Sequence, residues 1–164
     1  MINKKHLIEL IINSLQHDLA KATMAAKEAH AAATNDQSVA ETQYDTLAIE
    51  AGYLAEGQSR RIIEIKSSIK IFKNMLTTLT LSESNSMVAN IGCLIQLAGD
   101  EPLAHWFFLA PSAGGLRIPL EQQHITLITP QSPMGEALIG KEEGEDIDIG
   151  FSRKLAQDYI IHLY

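Results

Sequence analysis

Apolar residues in the first half of this chain recur with the spacing of two long helices that each bury one face. Steps that alternate between four and three residues keep such positions on one side of a helix. The first stripe is Ile8, Ile12, Leu15, Leu19, Ala22, Ala26, Ala29 and Ala33. The second, with an extra step of four at Gln58, is Tyr44, Leu47, Ala51, Leu54, Gln58, Ile62, Ile65, Ile69, Phe72, Leu76 and Leu79. Two such stripes predict an antiparallel coiled-coil hairpin.

The two stripes are joined by a short polar and acidic segment, residues 34–41. Acids at the end of a rigid rod can be delivered into a place that the rest of a protein cannot enter. Within the second stripe, Gly52 and Gly57 each weaken the helix by about 1 kcal/mol relative to Ala. We therefore expect close contact between the two helices at these glycines rather than a break in the second helix.

The second half of the chain has a different pattern. Its short apolar runs, bounded by Gly, Pro and polar residues, predict a small sheet. The predicted strands are Ile91–Leu97, Trp106–Ala110, Ile125–Thr129, Asp146–Phe151 and Tyr159–Leu163. The polar segment at residues 80–86 is the predicted linker. The sequence thus predicts an α+β chain, with a helical hairpin over residues 1–79 and a small antiparallel sheet domain with one short helix over residues 87–164.

The predicted short helix lies between the third and fourth strands. Ser132 is a good N-cap and Pro133 suits the first helical position. Gly140 suits a left-handed ending of the helix. Such a two-turn helix would pack its apolar side chains on the sheet.

The charge is unevenly distributed along the chain. Residues 1–75 hold nine Lys or Arg and nine Asp or Glu, whereas residues 76–164 hold four and eleven. Because no basic patch offers a phosphate-binding surface, direct nucleic-acid binding is disfavoured. A basic protein surface is the better expectation for a partner.

Several other classes of site are disfavoured by the residues present. The six histidines show no metal-ligand spacing. The single Cys93 excludes a disulfide within the chain and suits a buried position. The run Trp106 to Phe108 is more typical of a strand core than of a binding pocket. No apolar run is long enough to span a membrane. We therefore expect a cytoplasmic, monomeric protein without a metal site of its own.

The segment Ile128–Ile149, ITPQSPMGEALIGKEEGEDIDI, carries a resemblance to a known family. It resembles the C-terminal signature of the bacterial Gre transcript cleavage factors, GreA and GreB, which has a Ser-Pro, a short apolar helix, Gly-Lys, acidic residues and a strand. A helical hairpin ahead of such a domain matches the layout of that family. The resemblance implies an FKBP-like fold for residues 87–164.

The resemblance also implies a partner and a mode of action. The coiled coil would enter the secondary channel of bacterial RNA polymerase, and the C-terminal domain would dock at the rim of that channel. The polymerase-binding residues implied are Ser132, Pro133, Met134, Leu138, Gly140 and Lys141. In this family, acids at the hairpin tip help to hold an Mg²⁺ shared with the polymerase, whose own active centre hydrolyses backtracked RNA. The chain would then contact nascent RNA only indirectly, bind no cofactor in isolation and be no enzyme by itself.

The acids at the tip depart from the family pattern, Gly-Asp-x-x-Glu-Asn. Placing Glu41 at the family's Glu puts Ser38 at its Asp, and placing Asp36 at that Asp leaves Val39 at the Glu. The candidate catalytic acids are Asp36, Glu41 and Asp45. Each also has a structural interpretation, because Ser38 and Glu41 form a capping box, Asp36 suits a turn, and Asp45 suits the start of a helix.

Three functions remain open at this point. The first is a Gre-like elongation factor that stimulates transcript cleavage. The second is a regulator that occupies the same channel without promoting cleavage, which the altered tip favours. The third is an FKBP-like prolyl isomerase or chaperone, although a fold alone does not carry that activity. The third predicts an aromatic-lined pocket.

Overall fold

The computed structural model of the chain describes residues 2–33, 46–79, 87–148 and 157–164. Helix α1 spans Lys4–Ala33 and helix α2 spans Thr46–Leu79, so both predicted helices are present. In α1 every stripe residue from Ile8 to Ala29 is buried or half-buried. In α2 the buried stripe residues are Ile65, Ile69 and Phe72.

The predicted contact at Gly52 and Gly57 is wrong for the residues that the structure describes. A Cβ added at either glycine would have no neighbour within 4 Å. The adjacent Tyr53 and Leu54 are 71% and 56% exposed, so Leu54 does not pack as its stripe position predicts. Helix α2 nevertheless continues through both glycines, because a cost of about 1 kcal/mol each is tolerable in a helix of 34 residues.

The chain divides into two compact units. One unit is Glu9–Lys73, which contains most of both long helices. The other is Met1–Ile8 together with Asn74–Tyr164, which contains the sheet, the short helix and one end of each long helix. The α+β class is thereby confirmed, with two long helices ahead of a sheet domain.

The second unit is built on a six-stranded sheet with the strand order β3-β4-β2-β1-β6-β5. Its strands are β1 Leu94–Leu97, β2 His105–Leu109, β3 Arg117–Leu120, β4 Gln123–Ile128, β5 Asp146–Asp148 and β6 Gln157–Leu163. Neighbouring strands are antiparallel except β2 and β4, which are parallel. A 3₁₀ helix, Ala98–Leu103, joins β1 to β2. The sequence predicts an antiparallel sheet, and the structure differs at one pair of strands, because β2 and β4 are parallel.

Strand β3 was absent from the predicted strands. Its four residues alternate between exposed and buried, but four residues are too few to give a clear strand pattern. Pro119 also argues against a strand at this place. Pro119 is tolerated because β3 pairs only with β4 and forms one edge of the sheet, where a missing N–H can face outward. The first predicted strand begins later than expected, at Leu94, because Gly92 has a φ of +95° and turns the chain.

One face of the sheet packs against helix α3, Pro133–Leu138. Side chains of the segment before β1, of β1, β2, β4, β5 and β6, and of α3 form a buried cluster there: Ala89, Cys93, Ile95, Leu97, Phe107, Leu109, Ile128, Leu138, Ile147 and Ile160. The cluster fixes α3 on the sheet. It therefore positions the residues that the Gre resemblance implies for partner binding.

Candidate partner-binding surface

Helix α3 begins as its sequence predicts. Ser132 is extended, and its Oγ accepts a hydrogen bond from the N–H of Gly135 at 3.1 Å. The same hydroxyl donates to the carbonyl of Thr129 at 2.7 Å. Pro133 follows at the first helical position, where its missing N–H costs nothing. Ser132 therefore joins the helix start to the chain leaving β4.

Gly135 allows α3 to approach the backbone of the segment that leaves β4. A Cβ at Gly135 would overlap the carbonyl oxygen of Thr129, a clash that cannot be relieved by a side-chain rotation because the obstacle is backbone. Gly135 is itself buried. The orientation of α3 on the sheet thus depends on this glycine.

The residues of α3 and of the segment directly after it divide into a buried and an exposed set. Leu138 is fully buried, and Met134 packs against the core cluster. Pro133 and Gly140 are exposed, and Ile139 is 42% exposed. Of the six predicted polymerase-binding residues, Leu138 therefore offers no side-chain surface to a partner, because its side chain completes the core. We call Pro133, Ile139, Gly140 and Lys141 the α3 surface.

The segment after α3 is tied to the rest of the unit by backbone hydrogen bonds. Gly140 has a φ of +81°, the left-handed conformation that its position predicts. Its N–H donates to the carbonyl of Ala89 at 2.8 Å, and the N–H of Ala89 donates to the carbonyl of Lys141 at 2.7 Å. The exposed end of the α3 surface is consequently held in one conformation.

A carboxylate organises the turn that follows. Glu145 accepts the N–H of Glu142 at 2.7 Å, and Lys141 Nζ lies 3.4 Å from its other oxygen. The hydrogen bond from Glu142 and, to a lesser degree, the charge of Lys141 lower the pKa of Glu145 from its ordinary value of 4.5, against an opposing effect of desolvation. Glu143 accepts the N–H of Leu163 at 3.2 Å. Two acids of this turn therefore have structural roles.

The neighbourhood of the α3 surface is acidic. Five acidic residues are exposed along the turn and β5: Glu142, Glu143, Glu145, Asp146 and Asp148. Lys141 and Arg117 are the only Lys or Arg among described residues 87–148. This charge favours a basic partner surface.

The acids predicted at the hairpin tip, Asp36, Glu41 and Asp45, lie outside the described residues. Their catalytic and structural interpretations both stay predictions. Among the residues that are described, no group of three or more His, Cys, Asp or Glu is placed to hold a metal ion.

Other features singled out in the sequence have structural positions. Trp106, Phe107 and Phe108 are all buried, as expected of a strand core, so they do not line an open aromatic pocket. Cys93 is buried as well. No helix in the described parts of the chain is both long and apolar enough to cross a bilayer.

Two contributors to this surface were missed in the sequence. Gly135 was not singled out, since close contact with Thr129 depends on how the helix packs on the sheet. Glu145 was also missed. It lies four residues after Lys141 and directly after the Glu142-Glu143-Gly144 turn, a position from which a contact with Lys141 could have been predicted. Both residues act by positioning the exposed side chains.

Comparisons with known proteins give structural neighbours alone. No family model matches the chain, and no curated protein matches it by sequence. The GreA factor homolog 1 (Gfh1) of Thermus thermophilus is 16% identical, with 93% of this chain and 94% of that chain covered and a TM-score of 0.33. A structure of the transcription factor Gfh1 is 19% identical, with 93% and 92% covered and a TM-score of 0.37. Thermus aquaticus Gfh1 is 18% identical, with 93% and 92% covered and a TM-score of 0.31. Superpositions with TM-scores this low do not carry a function from one protein to another.

Proposed function

We propose that this chain is a Gre-type transcription elongation factor that binds bacterial RNA polymerase through the α3 surface. The observation that carries the proposal is the segment Ile128–Ile149. It resembles the Gre signature, and its Ser-Pro and Gly-Lys elements form the two ends of a capped helix. The two long helices that precede the sheet in sequence supply the second part of the Gre layout.

The α3 surface has the properties of a preformed docking site. Pro133 restricts the backbone at its start, and Gly140 is fixed by the bond to Ala89, so little conformational entropy is lost on binding. Ile139 offers an apolar contact, and Lys141 with the surrounding acids offers polar ones. An apolar centre with a charged rim is typical of specific protein interfaces.

We further propose that the chain stimulates cleavage of backtracked RNA from within the secondary channel. In this mechanism Asp36, with Glu41 or Asp45, would help to bind an Mg²⁺ held mainly by the polymerase and to position the attacking water. Mg²⁺ commonly binds few protein carboxylates and completes its octahedral shell with water and substrate. The polymerase performs the hydrolysis, and the chain supplies ligands to its active centre.

A second candidate function is occupancy of the channel without cleavage. The spacing of the tip acids favours it, because Asp36 and Glu41 are five residues apart, whereas the Gre pattern places its two acids three apart. Under this alternative the α3 surface would still dock on the polymerase. The two functions therefore share a binding test and differ in a cleavage test.

Binding is tested with purified bacterial core RNA polymerase immobilised on a sensor surface. Ile139→Asp is expected to weaken binding at least tenfold, because it places a charge at the centre of the α3 surface. Leu103→Asp is the matched control: Leu103 is also an exposed aliphatic residue, at 66%, but lies in the 3₁₀ helix. Equal binding by the wild type and Ile139→Asp, or equal loss by both variants, would overturn the docking proposal.

Cleavage is tested on stalled, backtracked elongation complexes in the presence of Mg²⁺. The wild type is expected to shorten the RNA from its 3′ end, and Asp36→Asn and Glu41→Gln to reduce that reaction without reducing binding. A wild type that binds but leaves the RNA intact supports the second candidate function. Full cleavage by both variants would show that the acids are assigned wrongly.

A further inference from the structure

A second polar cluster lies on the sheet, among residues that the proposed polymerase binding does not use. Nδ1 of His105 on β2 is 3.0 Å from Oδ1 of Asp100 in the 3₁₀ helix. Nε2 of the same ring is 2.8 Å from Oγ1 of Thr126 on β4. A carboxylate, an imidazole and a hydroxyl are thus connected in series by two hydrogen bonds.

When the imidazole is neutral, the chemistry of the three groups sets the direction of these bonds. An ionised carboxylate only accepts hydrogen bonds, so Asp100 requires the proton of neutral His105 to be on Nδ1. Nε2 then has a free lone pair and accepts a hydrogen bond from the hydroxyl of Thr126. A hydroxyl that donates to an imidazole oriented by a carboxylate is the arrangement of an activated nucleophile.

The imidazole is held in place by its surroundings. The ring of Phe107 lies 4.5 Å from the His105 ring, centroid to centroid. The 3₁₀ helix that carries Asp100 is tied to β6, because the N–H of Gly99 donates to Asp158 at 3.1 Å. Ala104, between the helix and His105, has a φ of +49°, which a non-glycine residue adopts only when neighbouring structure holds it there.

The cluster is accessible and has a cation beside it. The side chains of His105 and Asp100 are 24% and 23% exposed, and Thr126 is half-buried. Arg117 on β3 is the antiparallel register partner of Thr126 and is exposed. Directly opposed residues share a face with Cβ atoms about 5 Å apart. A negative charge developing next to Thr126 Oγ1 would therefore lie within reach of a guanidinium.

We propose that Asp100, His105 and Thr126 form an acyl-accepting site, in which Thr126 is acylated by a small activated carboxylic ester. The Thr126 oxygen forms a bond to the acyl carbon and gives a tetrahedral intermediate, which collapses as the bond from that carbon to the leaving oxygen breaks. The hydroxyl proton passes to His105 Nε2 and then to the departing oxygen, so that one ester and one hydroxyl give a new ester and the free alcohol or phenol. Asp100 is a positioning residue, and Arg117 faces the charge on the tetrahedral intermediate.

The test uses the full chain and 4-nitrophenyl acetate, with mass spectrometry of the peptide that contains Thr126. One acetyl group is expected on Thr126, with release of one 4-nitrophenol. Thr126→Val, which keeps the shape of the side chain, should abolish the label, and Thr126→Ser should retain it at residue 126. His105→Gln should slow labelling about 100-fold or more, because a general base typically contributes about 10²- to 10⁴-fold to a rate. Asp100→Asn should slow it and change its dependence on pH.

The matched control is His17→Gln, which removes another exposed histidine, on α1 in the other compact unit, and should leave labelling of Thr126 unchanged. The single Trp106, buried in β2, reports by fluorescence whether each variant keeps its sheet. The proposal is overturned if the folded wild type is not acetylated at Thr126, or if the His105→Gln variant is acetylated as fast as the wild type. In that case the cluster serves only to fasten the 3₁₀ helix to β2 and β4.

Discussion

Leu138 and Ile139 are adjacent aliphatic residues at the end of α3. Exchanging Leu138 for Ala should reduce mainly stability, and exchanging Ile139 for Ala should reduce mainly binding. Leu138 is fully buried in the core cluster, whereas Ile139 is 42% exposed. Truncating a buried Leu to Ala costs about 2–5 kcal/mol, because apolar contacts are lost and a cavity remains. A partly exposed Ile has less burial to lose, and we expect a cost below about 1 kcal/mol.

Urea unfolding followed by the fluorescence of Trp106 measures both costs. With a slope of about 1.5 kcal/mol/M, a loss of about 3 kcal/mol for Leu138→Ala lowers the midpoint by about 2 M. Ile139→Ala should shift the midpoint by less than about 0.7 M and weaken polymerase binding, whereas folded Leu138→Ala should bind nearly as well as the wild type. Equal midpoints for the two variants would refute the assignment of Leu138 to the core and Ile139 to the α3 surface.

Three further predictions concern single positions. Gly135→Ala should lower the free energy of unfolding by about 1–3 kcal/mol, measured by the same urea titration, because its Cβ would overlap the Thr129 carbonyl. Gly57→Ala should raise the helical melting temperature followed by circular dichroism, with a gain of about 1 kcal/mol, since the added methyl has open space around it. A lower melting temperature would mean that the helices do touch there. Because the folded pKa of Glu145 is depressed, its stabilising effect is present above the unfolded value of 4.5 and is lost as the pH falls through the folded pKa. The urea midpoint of Glu145→Gln should therefore be lower than that of the wild type at pH 7 and approach it as the pH is lowered below 4.5, and a difference that stays constant over this range would contradict this role.

The parts of the fold that depend on local sequence could be predicted well. Helical periodicity identified α1 and α2, and capping chemistry identified α3, because Ser132 and Gly140 act on backbone groups a few residues away. Strand β3 was missed since its four residues give little periodicity and Pro119 argues against a strand unless its edge position is known.

Features that depend on distant parts of the chain could not be read in the same way. The parallel pairing of β2 with β4 brings Thr126 next to His105, which is 21 residues away in sequence. The open space around Gly52 and Gly57, likewise, depends on how the helices pack beyond their stripes. Hydrophobic spacing predicts which face of a helix or strand is buried. Which other element packs against that face depends on the topology of the fold.

The two outer strands of the sheet limit how this protein can join another. On one side β3 carries Pro119, which lacks the N–H that an incoming strand would need, and on the other β5 is three residues long with Asp146 and Asp148 exposed. Edge strands that are short, charged or contain proline discourage the addition of a strand from another chain, and with it the growth of fibrous aggregates. A partner, or a second copy of the chain, is consequently expected to contact side chains and not to add a strand at these two described edges.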